Sequence, residues 1–139
     1  YSVSVGDTQW SFLLLKGDTT DGASKNLYLD GLSAKCTIAT NTAWRFRVEI
    51  IAVGTGTAKY ASFERTGLLS RITTAASTTI TGLTTVGSDI GSNAGLPPAG
   101  WTVSISADTS NAALNVAVTG ETALTVRWAA KISLVEVTL

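Results

Sequence analysis

A chain of 139 residues suits one domain and is long enough to bury a sizeable core. Its 10 Lys and Arg balance 10 Asp and Glu, so there is no basic excess to hold a phosphate backbone, and nucleic acid is not an expected partner. No apolar run is long enough to span a membrane as a helix, which argues against membrane insertion.

Charged residues make up 14% of the chain, against roughly a quarter in ordinary soluble domains. The remaining polarity comes largely from Thr, Ser and Gly. Two readings follow: a hydroxyl-covered β-protein, or a surface partly hidden in an assembly, and the two are compatible. Cys36 is the sole cysteine, which excludes an internal disulfide and points to a buried structural thiol. The start of the chain alternates and carries Asp7, unlike a signal peptide. The absence of Met and the start at Tyr1 suggest a piece of a longer or processed polypeptide.

Residues 1–8 read as an extended N-terminal arm or linker, and 1–139 as a single domain. Gln9 to Lys16 reads as a first strand, followed by a turn-rich loop from Lys16 to Gly22. Within that strand, Trp10, Phe12 and Leu14 share one parity and Leu13 and Leu15 the other. Asn26 to Asp30 and Ala34 to Ala39 read as short strands around the tight turn at Asp30-Gly31. Ala43 to Val53 is the strongest strand of the first half. It groups Trp44, Phe46, Val48 and Ile50 on one side and Arg45, Arg47 and Glu49 on the other. The Gly54-Thr-Gly-Thr57 turn ends it. Lys59 to Arg65 and Leu68 to Thr73 follow, with a bulge or bend expected near Gly67, then a weaker strand from Thr78 to Leu83.

Val86 to Gly100 is irregular, because its glycines and the Pro97-Pro98 pair interrupt any helix or central strand. Loops of this length inside compact domains are often functional. Three alternating runs close the chain. Trp101, Val103, Ile105 and Ala107 share a side, as do Leu114, Val116 and Val118. Leu124, Val126, Trp128, Ala130, Ile132 and Leu134 face away from Arg127, Lys131 and Ser133. Val135 and Val137 break this last parity, which suggests a bulge, or a final strand covered on both faces as in a subunit interface. Many short strands with turn signals point to an all-β fold, an antiparallel β-sandwich of jelly-roll type.

The chain offers little catalytic chemistry. It has no histidine, so the usual general base and the commonest metal ligand are missing. No phosphate-cradling glycine motif is present. Asp18, Asp21, Asp30 and Asp89 could supply carboxylates for glycoside chemistry, and Asp18 and Asp21 a hard cation, but they read better as exposed turn residues. No catalytic, cofactor or metal residue is assigned, and the chain is not expected to be an enzyme. Trp44, Trp101 and Trp128 read as core anchors; an exposed Trp10 or Tyr60 would be able to stack on a sugar.

An ordered set of segments carries a family likeness: Thr19-Thr-Asp-Gly-Ala23, Leu27-Tyr-Leu-Asp-Gly31, Ile38 to Phe46, Trp101 to Asp108, Asn111 to Glu121 and Val126-Arg-Trp-Ala-Ala130. Together they resemble a β-rich C-terminal domain of tailed-bacteriophage tail fibre and other virion appendage proteins, over about Asp18 to Val137. Two loops depart from that pattern, Gly54–Thr57 and Leu96–Gly100. The resemblance implies a virion structural protein, a homotrimer in contact with other virion proteins and with a host surface glycan or protein. Candidate contact residues are Thr55 and Thr57 in the first loop and Asp89, Asn93, Leu96, Pro97 and Pro98 in the second, with Arg45, Arg47 and Glu49 as a candidate exposed face. The alternatives are a capsid decoration or minor capsid protein, a free carbohydrate-binding module, and a hydrolase working with carboxylates alone.

Overall fold

The computed structural model describes residues 8–139, so the expectation of an N-terminal arm falls almost wholly outside the described residues. Among the described residues, ten antiparallel strands form two sheets. The larger sheet contains β1 (Thr8–Thr19), β4 (Thr42–Gly54), β5 (Tyr60–Arg71), β6 (Thr79–Thr85) and β10 (Val126–Thr138), in the order β1-β10-β4-β5-β6. The two-residue β7 (Ile90–Gly91) adds to β5. The smaller sheet is built on β9 (Ala113–Thr119). The strand β8 (Thr102–Asp108) lies along one side of β9; the short β2 (Ser24–Asn26) and β3 (Cys36–Thr37) share the other side, end to end. The fold is the expected antiparallel sandwich.

Strand alternation sets the core. Trp44, Phe46, Val48 and Ile50 are buried, as are Leu114, Val116, Val118 and the even-numbered residues Val126 to Leu134. The two sheets meet at Trp128, which stacks on Phe63 at 6.1 Å and lies 5.8 Å from Trp101. Such aromatic pairs add roughly 0.5–1.5 kcal/mol beyond area burial. The indole N–H of Trp128 donates to Thr19 Oγ1 at 2.9 Å, so no polar atom of that ring is wasted. Cys36 is buried, and burial pushes its thiol up to about 12.

Several local expectations are corrected. β1 does not stop at Lys16; Gly17, Asp18 and Thr19 stay in register with Trp128, Arg127 and Val126. The glycine fits closely there, since a Cβ at 17 would meet Leu27 Cδ2 at 3.0 Å and that side chain would have to give by a few tenths of an ångström. The turn begins later, with Asp21 accepting the Ala23 N–H at 2.9 Å. The strands expected at 26–30 and 34–39 shrink to β2 and β3; in the turn between them the Asp30 carboxylate captures three backbone N–H groups, those of Leu32, Ser33 and Ala34, at 2.8–3.0 Å. Those donors are lost to any ladder.

The two strands expected around Gly67 are one, β5, in unbroken register with β4. A Cβ at Gly67 would meet the Phe46 ring at 2.8 Å. The irregularity lies across the ladder, where Gly82 (φ +66) and Leu83 of β6 stand opposite Gly67 alone. The bulge expected in the last strand is absent: β10 pairs without a shift with both β1 and β4. Val135 and Val137 are simply turned outward and exposed.

Candidate contact surface

Three connections gather at one end of the sandwich: the β4–β5 turn, the β6–β8 loop and the β9–β10 connection. The Thr55 N–H donates to Thr125 O at 2.8 Å, and Lys59 Nζ reaches both oxygens of Glu121 at 2.7 and 2.8 Å. Glu121 also accepts a long bond from the Trp101 indole, 3.4 Å. The Lys59 ammonium, and then Trp101, hold the Glu121 carboxyl below its usual range.

The 86–100 loop is pinned rather than loose. Arg65 grips Asp89 with two parallel bonds, Nη1 to Oδ1 at 2.7 Å and Nη2 to Oδ2 at 2.9 Å. Ser92 and Tyr60 exchange bonds, Ser92 N–H to Tyr60 O at 3.0 Å and Tyr60 N–H to Ser92 Oγ at 3.1 Å. Asn93 and Leu96 close a tight turn, with N–H to O bonds of 2.9 and 3.0 Å in the two directions. Its central residues Ala94 (φ 51) and Gly95 (φ 89) are both left-handed, the signature of a type I′ turn. Gly91 cannot be replaced without backbone movement, because a Cβ there would sit 2.6 Å from Tyr60 O and 2.7 Å from Pro97 Cα.

The result is two adjoining clefts that share Pro98 and Ala99 as a wall. One, of about 540 Å³, is lined by Thr57, Lys59, Ser92 and Asn93. The other, of about 640 Å³, lies between Arg65, Asp89, Leu96 and Trp101. The two loops singled out by sequence therefore meet at one place. Thr57 and Asn93 flank the first cleft, and Asp89, Leu96 and Pro97 the second. Pro98 is buried and serves as wall. Thr55 lines neither cleft and is turned toward Thr125. The contributions of Lys59, Ser92 and Glu121 went unread: Lys59 and Glu121 are 62 residues apart, and one sequence carries no signal of their meeting.

Arg45, Arg47 and Glu49 lie elsewhere, on the outer face of the larger sheet. Glu49 accepts from Lys131 at 2.9 Å, Arg47 bonds Glu64 and approaches Glu49 at 3.5 Å, and Arg45 lies across the ladder from Val135. Lys131 is the main cause of the lowered Glu49 pKa. The same face exposes Trp10, Phe12, Leu14, Ile51, Val53, Tyr60, Val135 and Val137. That many large apolar side chains on one sheet face exceeds the scatter normal for a surface.

At the loop end the two acidic side chains, Asp89 and Glu121, are both engaged by cations. A general acid of a glycosidase needs a raised pKa, and Glu121 is shifted the other way. Asp21 and Asp30 spend their oxygens on neighbouring N–H groups. Among the described residues no three His, Cys, Asp or Glu side chains converge as metal ligands. The arrangement is suited to contact through hydroxyl, amide and apolar groups on a pinned framework.

The fold and this end define an antiparallel sandwich with a loop-built cleft. No protein-family profile matches the chain, and no curated protein matches it. Among solved structures it is similar to the Acinetobacter phage vB_ApiP_P1 tailspike protein, at 16% identity and a TM-score of 0.44. The match covers 99% of this chain and 23% of that one, so this chain spans less than a quarter of that protein's length.

Proposed function

We propose that this chain is a contact domain of a tailed-phage particle, an appendage domain that touches the host surface through its loop-end clefts. The ordered segments that resemble virion appendage domains point to the particle. The observation that carries the contact role is the meeting of Gly54–Thr57 and Leu96–Gly100, the two loops that depart from that family pattern, around one cleft wall. Loops on a rigid scaffold are where partner choice is set. The ligand class that fits is a host surface glycan or protein offering hydroxyl and amide groups, read by Thr57, Ser92 and Asn93. A single weak site suffices if the particle displays many copies, because avidity multiplies modest affinities.

The test is adsorption of the purified chain to the host bacterium and to its extracted surface polysaccharide, beside a Thr57→Ala, Asn93→Ala double variant. Binding should fall at least tenfold in a chain that still unfolds cooperatively in urea, with a stability loss of no more than about 1–2 kcal/mol from the bonds that Thr57 Oγ1 donates to Gly54 O and accepts from the Lys59 N–H. Equal adsorption by both chains overturns the reading. A second reading, a decoration protein seated on the capsid, draws on the apolar outer sheet face. Gold-labelled antibody on intact particles separates the two by where it lands.

A further inference from the structure

We propose that the open edge of β1 pairs with β1 of a second copy of this chain, in a two-fold antiparallel register centred on Phe12. The inference does not depend on what the loop end binds.

It starts from the backbone. Lys16 exchanges both of its bonds with Tyr28, N–H to O at 2.9 Å and O from N–H at 3.2 Å, on the side of β1 away from β10. In an antiparallel strand the direction of these groups alternates residue by residue. Leu14, Phe12 and Trp10 therefore aim their N–H and C=O groups to that same side. Among the described residues no strand pairs with them there. This is a bare ladder edge, the arrangement that invites another strand.

The side chains of the same three residues are 62% (Trp10), 51% (Phe12) and 69% (Leu14) exposed. From Thr8 to Leu15 the strand carries no charge, proline or glycine, and its register with β10 shows no bulge. The usual devices that keep edges apart are thus missing.

The segment complements itself. Centred on Phe12, the register sets Phe12 against its own copy and Trp10 against Leu14 of the other chain. Each of these pairs joins residues whose backbone groups already point outward, so every bond offered is answered. Lys16, whose bonds are taken by Tyr28, falls beyond this stretch and ends it. The apolar side chains then continue as one row across the seam, beside Val135. At roughly 150–250 Å² per aromatic side chain, the exposed fractions leave on the order of 300–400 Å² per copy to cover. Twice that, about 600–800 Å² for the pair, falls below the size of stable specific interfaces, so the pair is weak, reversible and concentration-dependent. Being two-fold, it yields even-numbered assemblies instead of the homotrimer implied by the sequence resemblance.

Cysteine mapping tests the register. In the proposed pair the two Phe12 Cα atoms lie about 5.5 Å apart, within disulfide range, whereas two Leu14 positions stand roughly 13 Å apart. Oxidised Phe12→Cys should run as a covalent dimer and Leu14→Cys should not; buried Cys36 serves as the silent background. Sedimentation of the unmodified chain should shift from 14.4 kDa toward twice that mass with rising concentration, and Phe12→Lys should abolish the shift. A chain that stays monomeric, a trimer indifferent to Phe12→Lys, or equal cross-linking at positions 12 and 14 overturns the proposal.

Discussion

The Arg65–Asp89 clamp is the place to test whether the 86–100 loop is held or merely folded back. Asp89→Asn keeps the shape and removes the charge, turning one of two charge-assisted bonds into an amide facing the guanidinium. Hydrogen bonds to charged groups contribute about 1.5–3 kcal/mol. Two observations place this one in the lower part of that range. The Asp89 side chain is 31% exposed, so water screens it. Arg65 also retains a partner, Glu64 O at 2.9 Å. Against that, the Arg65 side chain is only 14% exposed and is left with less than it was built to bond. The expected loss is about 1–2 kcal/mol, or roughly 4–8 °C in Tm for a chain of this size. Urea unfolding measures the first and calorimetry the second. Hydrogen exchange should localise the change: Val86 N–H, bonded to Glu64 O at 3.1 Å, should lose protection, while Ser92 N–H, tied to Tyr60, should keep it. A midpoint unchanged within about 0.3 kcal/mol, with Val86 still protected, would refute the clamp.

Three further substitutions probe the framework. Thr19→Val strips the buried Trp128 indole of its acceptor and should cost about 1–3 kcal/mol, with Thr19→Ser much milder; a fully stable Thr19→Val chain in urea would show that the bond adds nothing. Ala94→Asn places a residue that tolerates left-handed backbone where Ala now sits at φ 51, and should raise the urea midpoint by about 0.5 kcal/mol; a lowered midpoint contradicts the type I′ assignment. The Ala34, Leu32 and Ser33 N–H groups, in that order, lower Asp30 from 3.8 to about 2. Its stabilising contribution is therefore present above about pH 4 and lost as pH falls through about 2. Asp30→Asn should lie below the parent chain at neutral pH and converge on it near pH 2, and parallel curves would exclude the effect.

The sandwich was legible because branched and aromatic residues recur with period two over long runs. Trp44 to Ile50 and Val126 to Leu134 could face only one way. The short strands were not legible, since β2 and β3 span only 3 and 2 residues, too few for an alternating pattern to mark. The last strand is ambiguous in sequence for a physical reason: Val135 and Val137 break the inward parity, which fits either a bulge or a strand covered on both faces. The ladder is regular and the face is apolar. In the candidate site, the two loops stood out by their glycines and prolines. What holds that end in place, Lys59 to Glu121 of the β9–β10 connection and Arg65 of β5 to Asp89, depends on distances that only the fold creates.

The proposed strand pairing constrains how the clefts are used. β1 reaches the loop end at Thr19, opposite Val126 and near the β4–β5 turn. Antiparallel pairing at Phe12 reverses the second copy, so the two loop ends point to opposite poles. Such a pair cannot set both clefts on one flat surface; it touches with one and leaves the other facing away. A parallel trimer would present its sites together and gain about 10²–10⁴ in avidity on a dense surface. The isolated chain should therefore bind a sparse and a dense layer of host polysaccharide with the same apparent affinity, whether paired or made monomeric by Phe12→Lys. A large gain on the dense layer, lost in Phe12→Lys, would mean that the copies stand side by side and that the edge pairing is wrong.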